Sequence, residues 1–169
     1  MHLMCDTFSE TGDRPAAVPP GKLKLIGLGQ ELRGDDAAGL HALRLLAARY
    51  PELDACMVSG EATALLNVIA EAGHAVVLDC VAMPPGSREP VIFDGLSCRL
   101  SRDRRSSTHG LSLPDAIELG RILGKLPRRL TVIGIPGHEF DLGQAMSEDT
   151  QVALAGLVDV FQAWRDEHA

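Results

Sequence analysis

Gly27-Leu28-Gly29-Gln30-Glu31-Leu32-Arg33-Gly34-Asp35-Asp36-Ala37-Ala38-Gly39 decides how this chain folds. The apolar run Lys22-Leu23-Lys24-Leu25-Ile26 precedes it and reads as a strand. Leu40, Leu43, Leu46 and Tyr50 follow at helical spacing. A strand therefore ends in two glycines and feeds a loop that sets two aspartates at the start of a helix. Helix N-termini favour carboxylates, because unpaired N–H groups and the helix dipole point at them. One acid, Asp35, suffices as a cap. The surplus carboxylate is free to bind something at the carboxyl end of the strand, where open α/β sheets hold their ligands.

A dinucleotide loop is excluded by spacing. G-x-G-x-x-G needs a third glycine where Leu32 stands. Asp35 and Asp36 would also repel a pyrophosphate at the helix end that should attract it. The two acids suit a cation.

The 169 residues, 46% hydrophobic, suit one domain with a real core. A net charge of −7 argues against a sequence-independent nucleic-acid surface. No apolar run is long enough to cross a membrane. The start, Met1 to Asp6, lacks the basic residues and apolar stretch of a secretory signal, so a cytoplasmic location is expected. Cys5, Cys56, Cys80 and Cys98 form no C-x-x-C pair, which argues against a structural zinc knuckle. Cys56 and Cys80 lie in apolar runs and read as small buried hydrophobes.

Residues 1–21 are polar and proline-bearing and read as a flexible extension; residues 22–169 read as a single α/β domain. Within it, strands are expected at Leu23–Leu28, Ala55–Ser59, Ala75–Cys80, Pro90–Phe93 and Leu130–Ile135. Helices are expected at Asp36–Tyr50, Glu61–Ala72, from Ser112 to about Leu123, and after the capping Ser147. The polar, basic stretch Ser97–Thr108 is expected to be a loop. Alternation of this kind predicts a three-layer α/β fold, a mostly parallel sheet with helices on both faces. Pro90 marks the short strand as an edge, which is expected to run antiparallel. Right-handed crossovers put the ends of the first and third strands on one rim, and with them Asp36 and Asp79.

Asp79 ends the run Val76-Val77-Leu78, apolar on consecutive residues and hence buried on both faces. A carboxylate there is costly unless it caps a turn, is paired or meets a cation. His109, in Ser106-Ser107-Thr108-His109-Gly110, precedes a helix. His138 follows the last strand and is also within reach of the rim; His2, His41, His74 and His168 read as surface or packing residues. Two carboxylates and an imidazole would make an open, hard-to-borderline metal site, though spacing alone does not bring them together.

With these motifs in place, the chain resembles the nickel–iron hydrogenase maturation endopeptidases from about Leu23 to its last helix. The opening loop and acid pair, Leu78-Asp79, Ser107-Thr108-His109-Gly110-Leu111, and Gly134-Ile135-Pro136-Gly137-His138-Glu139 with Gly143 and Ser147 are similar to that family's motifs, in the same order. The resemblance implies that Asp36, Asp79 and His109 are the catalytic and metal-contacting residues. Two departures stand out. Gln30 replaces the family's asparagine, and Ser59-Gly60-Glu61-Ala62-Thr63-Ala64 replaces a glycine-richer stretch, adding the carboxylate of Glu61.

The implied activity is removal of a carboxyl-terminal extension from the hydrogenase large-subunit precursor after nickel insertion. The implied cofactor is nickel, carried mainly by that partner; other divalent ions would substitute in the isolated enzyme. Water activation by the metal and by a carboxylate both remain open. A metal-dependent small-molecule hydrolase and a non-catalytic nickel or large-subunit chaperone are the rival readings.

Overall fold

The computed structural model describes residues 2–3, 23–58, 61–97, 100–101 and 113–168. In chain order its elements are β1 (His2–Leu3), β2 (Leu23–Leu28), a 3-10 turn (Gly34–Ala37), α1 (Ala38–Arg49), β3 (Asp54–Val58), α2 (Ala62–Ala70) and β4 (His74–Ala82). There follow β5 (Val91–Asp94), β6 (Leu100–Ser101), α3 (Leu113–Leu123), β7 (Arg129–Gly137) and α4 (Glu148–His168).

Five strands form one sheet in the order β3-β2-β4-β7-β5. Every pairing is parallel except that of β5, which runs antiparallel to β7 at the edge, Ile92 opposite Ile133. The proline-led edge strand was legible in the sequence for a physical reason. Proline lacks the N–H that an inner strand must donate. The central strands β4 and β7 are apolar on both faces because helices cover both faces.

One core packs α2 and α3 against Ile26, Val77 and Val132. The other packs α1 and α4 against Leu25, Val76, Leu78 and Ile133. The α4 stripe Ala153, Leu154, Leu157, Phe161 and Trp164 recurs at helical spacing, and Leu157 and Phe161 are fully buried. Each large side chain of this kind contributes about 1.5–3 kcal/mol by leaving water.

Two elements differ from expectation. The helix expected from Asp36 begins at Ala38, and the two aspartates lie in a tighter 3-10 turn ahead of it. Leu100–Ser101, expected in a loop, pairs antiparallel with His2–Leu3 in a separate two-stranded ladder. Two residues on each side carry too little periodicity to announce a strand. The expected cap Ser112 lies outside the described residues; Ser147 does cap α4, its Oγ accepting from the Thr150 N–H at 3.4 Å.

Candidate active site

The carboxyl rim of the sheet is built by close backbone contact. Gly39 opens α1 against the ends of β2 and β4. A side chain there would run into the carbonyl oxygens of Leu28 and Leu78, so only glycine lets the helix start press onto both strands. Gly29, at φ +137°, makes the sharp exit from β2 and leaves no room for a Cβ beside the Asp36 carbonyl. The loop between them is compact: Asp36 N donates to Arg33 O at 3.0 Å, and Gln30 N to Asp36 O at 3.3 Å.

The two adjacent aspartates have different work. Asp35 is fully buried. Its carboxylate accepts hydrogen bonds from His138 N (2.8 Å), Glu139 N (2.9 Å), Ser147 N (2.7 Å) and Ser147 Oγ (2.9 Å). Its own N–H donates to Glu139 O at 2.8 Å. Burial alone would raise the Asp35 pKa, but these donors outweigh it and the carboxyl is held below its ordinary value. The expected cap role is therefore corrected: no side-chain cap bond is made at the start of the 3-10 turn or of α1. Asp35 instead ties the first loop to the β7–α4 loop, more than 100 residues away.

Asp36 is the acid left over, half-buried rather than exposed. Burial raises its pKa, and the nearby charge of Arg33 opposes this. Asp79, beside Gly134 in the ladder, keeps a partly accessible position near the end of β4. Its pKa is pushed up to about 7, first by burial and then by the charge of Asp36; the Cys80 N–H works against both. The two carboxylates thus lie close enough to repel one another. Neither has a salt-bridge partner among the described residues. A buried like-charge pair without a cation costs stability, and such pairs concentrate at functional sites.

Cys80 lies under this pair. Burial and the charges of Asp79, Asp35 and Asp36 all push its thiol up, so it stays protonated and packs as a hydrophobe. Cys56 is likewise a free thiol, half-buried and raised by burial. His138, weighed as a rim histidine, is fixed to Asp35 by its backbone N–H. His109 lies outside the described residues. Among the described residues no three His, Cys, Asp or Glu side chains gather to hold a metal.

No protein-family model matches the chain. Among curated proteins it is similar to the hydrogenase expression/formation protein HupM of Azotobacter chroococcum mcd 1, 26% identical over 149 residues, 85% of this chain and 71% of that protein. HoxM of Azotobacter vinelandii, of the same description, is 26% identical over 136 residues, 77% of this chain and 65% of that one. The hydrogenase maturating endopeptidase HybD from E. coli superimposes with a TM-score of 0.63 at 18% identity, over 86% of this chain and 93% of that chain. The chain thus shares the fold of solved hydrogenase maturation proteases and is similar in sequence to hydrogenase expression/formation proteins. The NiFe hydrogenase maturation protease HybD from Thermococcus kodakarensis superimposes with a TM-score of 0.60 at 22% identity, over 85% of this chain and 98% of that chain. These solved structures share the fold described above.

Sequence reasoning missed the part of Asp35. Its signal was present but distant: Ser147 and the Gly137-His138-Glu139 turn are its partners, and no local spacing links them to position 35. The group of Gln30 that meets Asp36 is its backbone N–H. Glu61 immediately precedes α2 and is exposed.

Proposed function

We propose that this chain is an endopeptidase that removes the carboxyl-terminal extension of a nickel–iron hydrogenase large-subunit precursor once nickel has been inserted. In this reading Asp36, Asp79 and His109 meet the nickel that the precursor carries. The observation that supports it is the pair Asp36 and Asp79 at the carboxyl rim of the sheet, near enough for the charge of Asp36 to raise the Asp79 pKa, with no salt bridge to either among the described residues. Such a pair has an obvious missing partner, a cation. HybD of E. coli, which shares the fold, is described as a hydrogenase maturating endopeptidase.

The chemistry of the pair fits a metal delivered by substrate better than one held permanently. Asp79 retains a proton through much of the neutral range, and a divalent ion must displace that proton before both oxygens can bind. Two carboxylates alone form a hard and incomplete shell; substrate ligands complete it. Once the ion is in place, its charge removes the repulsion between Asp36 and Asp79 and draws both into the ionised form. Asp36 and Asp79 would hold the ion, which would polarise a water or the scissile carbonyl, and either carboxylate would be at hand as general base.

The test is incubation of the purified chain with nickel-loaded precursor and mass analysis of the precursor's carboxyl end. Loss of a discrete terminal peptide supports the reading; an intact precursor counts against it. Turnover of small amide or ester substrates with tightly held metal would instead favour a small-molecule hydrolase.

A further inference from the structure

Two large apolar side chains stand in the open on the loops that frame the acid pair. Leu32, on the β2–α1 loop, is 71% exposed, and Leu142, on the β7–α4 loop, is 76% exposed. Their loops are locked together. Gly143 N donates to Leu32 O at 2.7 Å, and Arg33 Nε reaches Phe140 O at 3.4 Å. Gly34, at φ +52°, has no Cβ, and one there would come within 2.5 Å of the Glu139 carbonyl. Beneath them Asp35 holds His138, Glu139 and Ser147 by the bonds described above. Leu32 and Leu142 are thus presented on one tied platform, four residues in sequence before Asp36 in the case of Leu32.

The platform carries Arg33 next to Leu32, with its Nε turned to Phe140 O, and is acidic on the Leu142 side. Glu139 and Asp141 are exposed beside Leu142, and no hydrogen bond or ion pair engages either carboxylate among the described residues. On a chain of net charge −7, this surface complements a segment that offers apolar and cationic side chains together. Exposed leucines on a pre-ordered surface favour association because little ordering remains to be done on binding.

We infer that Leu32 and Leu142, flanked by Glu139 and Asp141, form the docking surface for the precursor, gripping an apolar and basic segment of it while the acid pair meets the metal. This rests on the function proposed above and adds which surface reads the protein part of the substrate. Docking of this kind is made equally in ground and transition states, so it governs KM and leaves kcat alone.

The experiment measures two quantities with full-length protein and nickel-loaded precursor: the Kd for the precursor by calorimetry, and kcat and KM for cleavage. Variants are Leu32→Ser, Leu142→Ser and the double change. Ile122→Ser is the control, since Ile122 is 74% exposed but sits on α3. The double change is expected to raise both Kd and KM by about tenfold or more, with kcat unchanged. Ile122→Ser is expected to match wild type. Added salt should raise the wild-type KM, and Glu139→Gln with Asp141→Asn should blunt that response. Precursor binding that is indifferent to both leucines, or equally weakened by Ile122→Ser, would overturn the docking surface. Leucine-dependent binding without any cleavage would leave the surface standing and overturn the protease reading, so the two failures are distinguishable.

Discussion

Asp35 and Ser147 are joined twice: Ser147 N donates to Asp35 Oδ1 at 2.7 Å, and Ser147 Oγ to Asp35 Oδ2 at 2.9 Å. The first residue lies at the opening of the domain and the second caps its last helix. Ser147 Oγ also lies 3.0 Å from Thr150 Oγ1, which donates to Pro136 O at 2.7 Å. The loop after β2, the end of β7 and the start of α4 are therefore one hydrogen-bonded unit. Asp36, the neighbour of Asp35, lies near enough to Asp79 for the two charges to interact.

Removing that carboxylate should be costly. Asp35→Ala leaves one buried and two part-buried backbone donors without their acceptor, and a loss of about 3–5 kcal/mol is expected. Asp35→Asn keeps one acceptor oxygen and should lose less. Urea unfolding of the three proteins checks the order; an Asp35→Ala variant within about 1 kcal/mol of wild type would remove Asp35 from its structural place.

Asp36→Asn and Asp79→Asn should behave in the opposite way. Each removes one member of a repelling pair while keeping size and hydrogen-bonding capacity, so the fold should be retained or stabilised and cleavage should fall by at least about a hundredfold. Unfolding curves and precursor processing, measured together, check both halves. Normal processing by either variant would exclude that residue from the mechanism.

The pH dependence of stability carries two opposed contributions. Asp79 has an ordinary value of 3.8 and a folded value of about 7. Between these the folded protein keeps a proton that the unfolded chain has lost, so stability falls as pH rises through this window. His74 is buried against Trp164 and 2.9 Å from Thr131 Oγ1. Burial, chiefly, lowers its pKa from 6.5 to about 4. In that window the unfolded chain binds the extra proton, so His74 makes stability fall as pH drops. Asp79→Asn should therefore be more stable than wild type at pH 8, by on the order of 2 kcal/mol, with the advantage fading toward pH 4. It should also unmask a steeper acid-side loss between pH 6.5 and 4, which a further His74→Gln change would flatten. Denaturant midpoints across pH 4–8 check both; an Asp79→Asn advantage that grows toward acid would contradict the assigned direction.

Gly137→Ala should damage the same unit from below. A Cβ at 137 would stand 2.5 Å from Cys80 Sγ and 2.6 Å from Asp35 Cβ. A loss of about 1–3 kcal/mol is expected by thermal or urea unfolding. The companion change Cys80→Ala, which vacates part of the space, should recover some of it. Lack of any recovery would mean that Asp35 alone sets the fit.

Much of the domain was legible because its signals are local. The apolar run through Val76, Val77 and Leu78 announced a strand covered on both faces, and Pro90 announced the edge. Asp36 and Asp79 could be placed on one rim because parallel crossovers leave little choice. What escaped was set by contacts between distant segments. Asp35 looked like a local cap, but its donors come from His138, Glu139 and Ser147. Asp36 was legible as a rim acid, but its half-burial was not: Gly39 lets the helix start press onto the strand ends. The pairing of His2–Leu3 with Leu100–Ser101 has no signature in two residues on either side.

The central claim is that Asp36 and Asp79 read a metal carried by the substrate. The measurement that tests it most directly compares cleavage of nickel-loaded and nickel-free precursor by chelator-treated enzyme, with mass analysis of the precursor's carboxyl end. The account predicts cutting of the loaded precursor alone, lost in Asp79→Asn and in His109→Ala. Equal cutting of both precursors, with either residue changed or not, would contradict it.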